Sequence, residues 1–232
     1  MPLAPSPRIF LLSLCVATSL FIFLSSIKTE AQVSSPNKPF KFSMAAVAKV
    51  IKGENHQFIP LSDNIVLQTG NLIKFYFEFE KEAFLYIFHE DSRGALTLLF
   101  PKDPQSPKVS QYAPVYIPEG NSWLELDSNT GKETFHLLVS AIQLEGLEKL
   151  YNRHNMLKEK DAIKQSVQAI LTEIKSLRRE NLRTQAERPQ MVAGKLRGKS
   201  NDGSLTPQEL RDAATEVTAT GTYVNSVTID HK

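Results

Sequence analysis

One short stretch, HEDSRG at residues 89–94, gathers ionisable side chains between two apolar runs. A histidine beside a carboxylate can serve as a general base with its orienting partner, or as two ligands of a metal ion. In a strand, however, neighbouring side chains point to opposite faces, so His89 and Glu90 would diverge. An aspartate and a serine shortly before Gly94 are residues that a tight turn favours. The pattern therefore predicts the polar tip of a hairpin rather than an active site.

The other candidates for chemistry are scattered along the chain. The remaining histidines show no HxH or HExxH spacing, and no glycine-rich phosphate loop or G-x-S-x-G elbow occurs. The stretch 198–209 imitates a calcium loop, but glycine stands where the first carboxylate is needed. We therefore predict no catalytic residue, no metal ligand and no cofactor. The alternative is a hydrolase, which requires His89 or His136 beside a carboxylate in a cleft, whereas a non-catalytic module predicts solvated, unpaired histidines.

The N-terminus has the order of a secretory signal peptide. Arg8 precedes an apolar run over residues 9–24, and Thr29-Glu30-Ala31 offers small residues at both cleavage subsites. We predict a signal peptide over residues 1–31, cleaved near Ala31, and a protein exported to the periplasm or the extracellular space. The run is nearly long enough to span a bilayer, so an uncleaved anchor is the alternative and the only predicted membrane contact.

Cysteine and charge further limit the chemistry. Cys15 is the only cysteine and lies inside the apolar run, preceded by the bulky Leu14, which disfavours lipid attachment. A chain cleaved near Ala31 keeps no cysteine, which excludes disulfides and thiolate catalysis. The whole chain carries 27 Lys plus Arg against 25 Asp plus Glu. The stability of the folded part must therefore come from its hydrophobic core, for which a chain of this length is sufficient.

Residues 32–41 are polar with two prolines and predict a disordered lead-in, after which short apolar runs alternate with turn residues. In the clearest strand, 71–80, four apolar side chains fall on one face, and strand 83–89 is apolar on both faces, which predicts a central position. Pro60 indicates an edge strand. The predicted strands are 42–51, 57–62, 71–80, 83–89, 95–100, 113–118, 122–126 and 133–142.

The periodicity then changes to that of a helix within residues 157–186. Its apolar stripe consists of Ile163, Val167, Ile170, Ile174 and Leu177. A stripe this short favours packing on its own domain over a coiled-coil seam, and self-association through the stripe is the alternative. A second helix is predicted after its N-cap, Thr206: Pro207 takes the first helical position, and Glu209 completes a capping box with Thr206.

Residues 222–230 alternate again and predict a last strand that returns to the sheets. The predicted fold is mostly β: an antiparallel β-sandwich with a two-helix insertion before the last strand. Its parts are the β-sandwich over residues 42–145, the helical insertion with a basic loop over 146–218, and the final strand over 219–232.

The span from about Leu67 to Ile142 resembles the bacterial domain-of-unknown-function family 4384 (DUF4384). The pieces that carry the resemblance occur in order: LQTGNLIKFYFEFE, the hairpin FLYIFHEDSRGALTLLFP, and YIPEGNSWLELDSNTGKETFHLLVSA. The resemblance implies an envelope or exported β-rich module, of a kind sometimes joined to catalytic domains such as caspase-like peptidases. No such partner domain fits in this chain. The family has no established catalytic residues, so the resemblance implies none here.

Between residues 175 and 199 the basic side chains outnumber the acidic ones by eight to two. Such a segment is either solvated or contacts an anionic partner such as lipid headgroups, an acidic polymer or an acidic protein surface. No aromatic residue lies there to stack on bases, which argues against nucleic acid. The candidate contact residues are Arg178, Arg179, Arg183, Arg188, Lys195, Arg197 and Lys199.

From the sequence we therefore expect an exported cell-envelope module without catalytic activity, which binds an unknown envelope protein or an anionic surface. An assembly subunit that associates through the helix 157–186 and an envelope hydrolase with dispersed histidines are the alternatives.

Overall fold

The structure, a computed structural model, describes residues 39–53, 55–103, 107–184 and 205–232. The predicted signal peptide and most of the lead-in lie outside these residues. The strands are β1 (Pro39–Lys52), β2 (Asn55–Pro60), β3 (Ile65–Leu67), β4 (Leu72–Phe79), β5 (Ala83–Glu90), β6 (Leu96–Phe100), β7 (Lys108–Val109), β8 (Val115–Ile117), β9 (Leu124–Glu125), β10 (Gly131–Ser140), β11 (Thr215–Thr220) and β12 (Thr222–His231). The helices are α1 (Glu145–Met156), α2 (Lys160–Thr184) and α3 (Pro207–Asp212).

Two sheets make the predicted β-sandwich. The first has the order β11-β1-β4-β8, with β2 also paired to β1 and β9 also paired to β4. The second has the order β3-β12-β10-β5-β6, with β7 also paired to β5. All pairs are antiparallel except β3 with β12, which is parallel. The sequence-predicted fold class, mostly β with helices before the last strands, is confirmed.

The main core lies between the two sheets because each inner strand presents an apolar face there. On β4 the alternating side chains Ile73, Phe75, Phe77 and Phe79 are all buried in this core. On β5 the residues Leu85 and Ile87 meet them, while Tyr86 and Phe88 point to the other face. The central position predicted for this strand is thus confirmed, since β5 lies between β10 and β6 and is covered on both faces.

Helices α1 and α2 cover the outer face of the second sheet. Tyr86 donates a hydrogen bond to Glu148 at 2.6 Å and accepts one from the backbone N–H of Leu144, which fixes α1 to β5. The apolar stripe of α2 packs on the same face, against Phe88 and Leu138. The stripe thus lies in a second core within the chain. No helix among the described residues is both long and apolar enough to cross a membrane.

Helix α3 covers the outer face of the first sheet. Its capping box is formed as predicted, with the Thr206 side chain accepting from the N–H of Glu209 and the Glu209 side chain accepting from the N–H of Thr206. Leu210 is buried against Tyr76 and Phe58. The cap satisfies backbone N–H groups in the first turn of α3. It therefore stabilises this six-residue helix together with the burial of Leu210.

The structure also corrects the sequence-based boundaries. Three helices precede the last strands rather than two, because residues 145–156 form α1. The insertion predicted over 146–218 ends in a strand, β11, which returns to the first sheet, while β12 joins the second. The sequence does not predict the short strands β3 and β7, because two or three residues are too few to show the alternation of apolar and polar side chains that identifies a strand.

The packing of α2 gives a first prediction. Ile170 is fully buried in the second core, so Ile170→Ala should lower the free energy of unfolding by about 3 kcal/mol through the cavity that it leaves. Met156→Ala is the control, because Met156 is 79% exposed and its truncation should change stability by less than about 0.5 kcal/mol. Urea unfolding and light scattering on both variants make the measurement. A variant of Ile170 that dissociates an oligomer without loss of stability would contradict this packing.

Candidate functional site

A buried carboxylate, Glu133, holds two histidines from neighbouring strands. Its two oxygens lie 2.7 Å from Nε2 of His89 and 2.7 Å from Nδ1 of His231. Strand β10 supplies the glutamate, with β5 on one side and β12 on the other. The side chains of Glu133 and His231 are 6% and 0% exposed, whereas that of His89 is 22% exposed. Of the three groups, the imidazole of His89 is the one most accessible to solvent.

The chain of hydrogen bonds continues to a hydroxyl group. Nε2 of His231 lies 3.1 Å from Oγ1 of Thr69, and this hydroxyl donates to the carbonyl oxygen of Asp127 at 2.9 Å. A hydroxyl has one proton to donate, so these two bonds form together only if His231 donates from both ring nitrogens, Nδ1 to Glu133 and Nε2 to Thr69. If Nδ1 alone carries a proton, Nε2 accepts from the hydroxyl of Thr69 instead. In either arrangement Thr69 links His231 to the segment after β9.

Beside this network a pocket of about 190 Å³ opens between the two sheets. Its apolar wall comes from both sheets and the segment after β9, and consists of Ile73, Leu99, Leu124, Leu126 and Phe135. The ring of His89 stacks on that of Phe135, with 4.7 Å between their centroids. Pockets for drug-sized ligands and cofactors measure about 300–1,000 Å³. This pocket therefore fits a single side chain or a similarly small group.

The polar lining of the pocket is acidic. Four carboxylates line it, from Asp91, Glu125, Asp127 and Glu133. Among the described residues, at most three positive charges bond to them: the two histidines on Glu133, and Arg93, which contacts Asp91 at 3.1 Å. The pocket keeps a net negative charge even with both histidines protonated.

The surroundings of Glu133, Asp91 and Asp127 favour the ionised forms of these three carboxylates. Burial on its own raises the pKa of Glu133, but hydrogen bonds and charges from His89 and His231 outweigh it and lower that pKa below its ordinary value. The same balance lowers the pKa of Asp91, where backbone and side-chain donors of Ala95 and Arg93 offset burial. Hydrogen bonds from Asn129 lower the pKa of Asp127.

Close packing at the hairpin tip positions the pocket. Asp91 accepts hydrogen bonds from the backbone N–H groups of Arg93 and Ala95, and Gly94 has φ +79°. The predicted hairpin turn is therefore present. A Cβ at Gly131, which has φ +137°, would lie 2.7 Å from Cβ of Ser92, so glycine allows the tip to pack on the start of β10.

A second histidine–carboxylate pair lies on the opposite face of β5 and β10. Nδ1 of His136 is 2.9 Å from Oγ of Ser226, and its Nε2 is 3.6 Å from Glu90. Burial lowers the pKa of His136, with the charge of Glu90 opposing that effect. His89 and Glu90 thus diverge as predicted. The expectation of solvated, unpaired histidines, however, is wrong for His89, His136 and His231.

The predicted helix stripe is not exposed. Val167, Ile170 and Ile174 are buried, and Leu177 packs against the same core. Ile163 is half-buried near the start of α2. Within the residues described, these side chains contact the chain's own second sheet rather than a free surface.

The basic segment is only partly described. Arg178 and Arg179 are exposed near the end of α2. The backbone of Arg183 continues that helix, while Arg188, Lys195, Arg197 and Lys199 lie outside the described residues. The contact with an anionic partner stays a prediction.

Sequence reasoning missed Thr69, Asp127, Glu133 and His231 as partners of the site. Their separations in sequence are large: Glu133 is 44 residues from His89 and 98 from His231. The available signal was a glutamate at an inward-facing position of an apolar strand, because a buried carboxylate requires partners. In the part of the chain that the structure describes, no group of three or more His, Cys, Asp or Glu is arranged to hold a metal ion.

Residues 66–143 match the family model of the Domain of unknown function (DUF4384). The match confirms the resemblance seen in the sequence and covers about a third of the chain. Every residue that lines the pocket lies within this span, whereas His231 comes from outside it. Comparison with curated proteins and with solved structures gives no match.

The network at Glu133 gives a second prediction. Glu133→Gln removes the charge that both histidines contact, and we expect the free energy of unfolding at pH 7 to fall by about 3 kcal/mol. Because the folded-state pKa is lowered, the contribution of Glu133 is present above its ordinary pKa of 4.5 and is lost as the pH falls through the lower folded value. The difference between parent and variant should therefore shrink at acid pH.

Denaturant unfolding from pH 7 to pH 3 makes this measurement. Glu80→Gln is the matched control, since Glu80 is an exposed turn residue and its change should leave stability nearly unaltered at every pH. An equal loss of stability in the Glu133 variant at pH 7 and pH 3 would contradict the role given to its charge.

Proposed function

We propose that this chain, in which residues 66–143 match a domain of unknown function, is an exported, non-catalytic recognition module of the cell envelope. Its pocket takes a small positively charged group, such as the ammonium or guanidinium group of a partner protein. The observation that carries the proposal is a side-chain-sized pocket with an apolar wall and four carboxylates. The signal-peptide pattern before Ala31 supports export.

The chemistry of the lining suits a basic side chain. A lysine or arginine buries its apolar stem while its charged end contacts carboxylates, and this pocket offers both surfaces. Glu125 is exposed at the rim, and Glu133 is buried deeper inside. Carboxylates held by strands and tight turns need little rearrangement on binding, which lowers the entropic cost of association.

The electrostatics of the pocket disfavour acyl and phosphoryl transfer. Those reactions develop negative charge on oxygen, which an active site must stabilise with hydrogen-bond donors or cations. A lining with four carboxylates opposes such charge. Thr69, the hydroxyl nearest the buried histidine, is already engaged with the carbonyl of Asp127.

One observation favours the hydrolase as a second candidate. His89 is partly exposed in the pocket and bonded through Nε2 to Glu133, which is the arrangement of a general base with its orienting carboxylate. The hydrolase candidate assigns the activation of water to Nδ1 of His89. Contact of the basic segment that follows α2 in the sequence with an anionic surface is compatible with either candidate.

The binding proposal predicts selective uptake of an organic cation. Titration with n-butylammonium chloride should shift backbone amide signals of Thr97 and Asn129 in ¹H–¹⁵N NMR spectra, whereas sodium butyrate should not. Glu125→Lys should weaken this binding about tenfold, equivalent to about 1.4 kcal/mol, because it reverses a charge at the rim. Added salt should weaken it further through screening.

Glu80→Lys is the matched control for that titration. It makes the same charge change at an exposed turn directly after β4. This turn is about 20 Å along the strand from Ile73, which lines the pocket. Binding by the control should equal that of the parent. Equal shifts with butyrate, or no shift in the pocket amides, would refute the cation-binding proposal.

The two candidate functions differ in turnover. We expect no hydrolysis above background for p-nitrophenyl esters, phosphates and glycosides, measured by absorbance at several pH values. Turnover that His89→Gln abolishes while the variant keeps the parent's circular dichroism spectrum would establish the hydrolase candidate instead. Cation binding without turnover of any of these substrates would support the recognition module over the hydrolase.

A further inference from the structure

Strand β11 has one edge that no other described strand covers. It pairs with β1 through residues Thr215 to Thr220, and it ends the first sheet. In such a strand every second residue directs its backbone N–H and C=O groups away from the sheet. These groups form no hydrogen bond with the rest of the described chain.

The strand lacks most of the features that usually protect an edge. Proteins blunt exposed edges with charged side chains, above all lysine, with proline, with bulges or with very short strands. Of these β11 has only the charge of Glu216, which contacts Lys41 of the same chain. The sequence TEVTAT contains no proline or lysine, is rich in β-branched residues and runs regularly opposite β1 over six residues. Its side chains alternate cleanly, with Val217 and Ala219 buried in the main core and Glu216 and Thr218 exposed.

The other edges of the described sheets are shorter or interrupted. Strand β3 has three residues, and β8 has three followed by Pro118. Strand β6 pairs with β5 through an irregular register, and the N–H of Leu98 donates to the hydroxyl of Tyr151 on α1. Strand β2 ends at Pro60. The regular edge of β11 therefore differs from them.

The edge of β11 is complementary to itself. Antiparallel pairing with a second copy about a two-fold axis keeps the buried face of both strands on the same side, as a closed symmetric dimer requires. With the axis at Val217, each Glu216 faces Thr218 of the other copy; with the axis at Thr218, each Glu216 faces Thr220. Both registers avoid opposing glutamates, and each Glu216 keeps its contact with Lys41 of its own chain at 3.3 Å.

We propose that β11 pairs with β11 of a second copy of this chain, which joins the two first sheets into one continuous sheet across a two-fold axis. The main-chain groups along the edge supply the hydrogen bonds, and the exposed Thr218 and Glu216 set the register. The pocket remains accessible in this dimer because β11 pairs with the Phe42 end of β1, whereas Ile73 of the pocket lies opposite Ala48 near the other end.

The experiment compares the parent with the double variant Glu216→Lys, Thr218→Lys by size exclusion with light scattering over a concentration series. The parent should move from the mass of one chain toward twice that mass as concentration rises. The variant places lysines opposite one another in either register, so its dimer dissociation constant should rise about tenfold or more.

Two controls keep the result interpretable. Ser62→Lys, Glu80→Lys makes the same charge change at exposed turn positions and should dimerise like the parent. Glu216 contacts Lys41 of its own chain and Thr218 lies opposite that lysine, so circular dichroism and urea unfolding must show that the edge variant keeps the fold of the parent. A parent that stays monomeric, or a dimer that the edge variant leaves unchanged, would overturn the proposal.

Discussion

The burial of one carboxylate, Glu133, sets the arrangement of the candidate site. An ionised carboxylate inside a protein is costly unless charged or hydrogen-bonded partners compensate it. Here the partners come from the two strands that flank β10, with His89 on β5 and His231 on β12, and through Thr69 the network reaches the turn before β4 and the segment after β9. The same contacts that compensate the charge therefore hold the ends of both sheets together. The pocket beside His89 exists because these elements are fixed at that spacing.

The fold depends equally on covering the second sheet on both faces. Strand β5 is apolar on each side, so it would expose Tyr86 and Phe88 if α1 and α2 were absent. Tyr86 makes this cover specific, because its hydroxyl group both donates to Glu148 and accepts from Leu144. The apolar stripe of α2 is thus explained by packing inside the chain. The assembly proposed at the edge of β11 uses main-chain groups instead of this stripe.

The sequence predicts the elements whose signal is local. The alternation in 71–80, the hairpin at Gly94 and the capping box at Thr206 all appear in the structure. The prediction fails where the decisive contact joins distant residues, as for Glu133 with His231. It also misses β11, because a six-residue run of threonine, valine and alanine directly after a helix is weak evidence for a strand until β1 is present to pair with it.

The span that matches the domain of unknown function is not a complete folding unit in this chain. It contributes three of the inner strands, β4 in the first sheet and β5 and β10 in the second, and every residue of the pocket lining. Their neighbours β1 and β12 come from outside the span, and without them β4 and β10 would each expose an unpaired edge. Glu133 would also lose His231 and keep His89 as its one side-chain hydrogen-bond partner among the described residues. The flanking strands therefore complete both the sheets and the charge compensation on which the pocket depends, so the whole sandwich positions a site whose lining belongs to one third of the sequence.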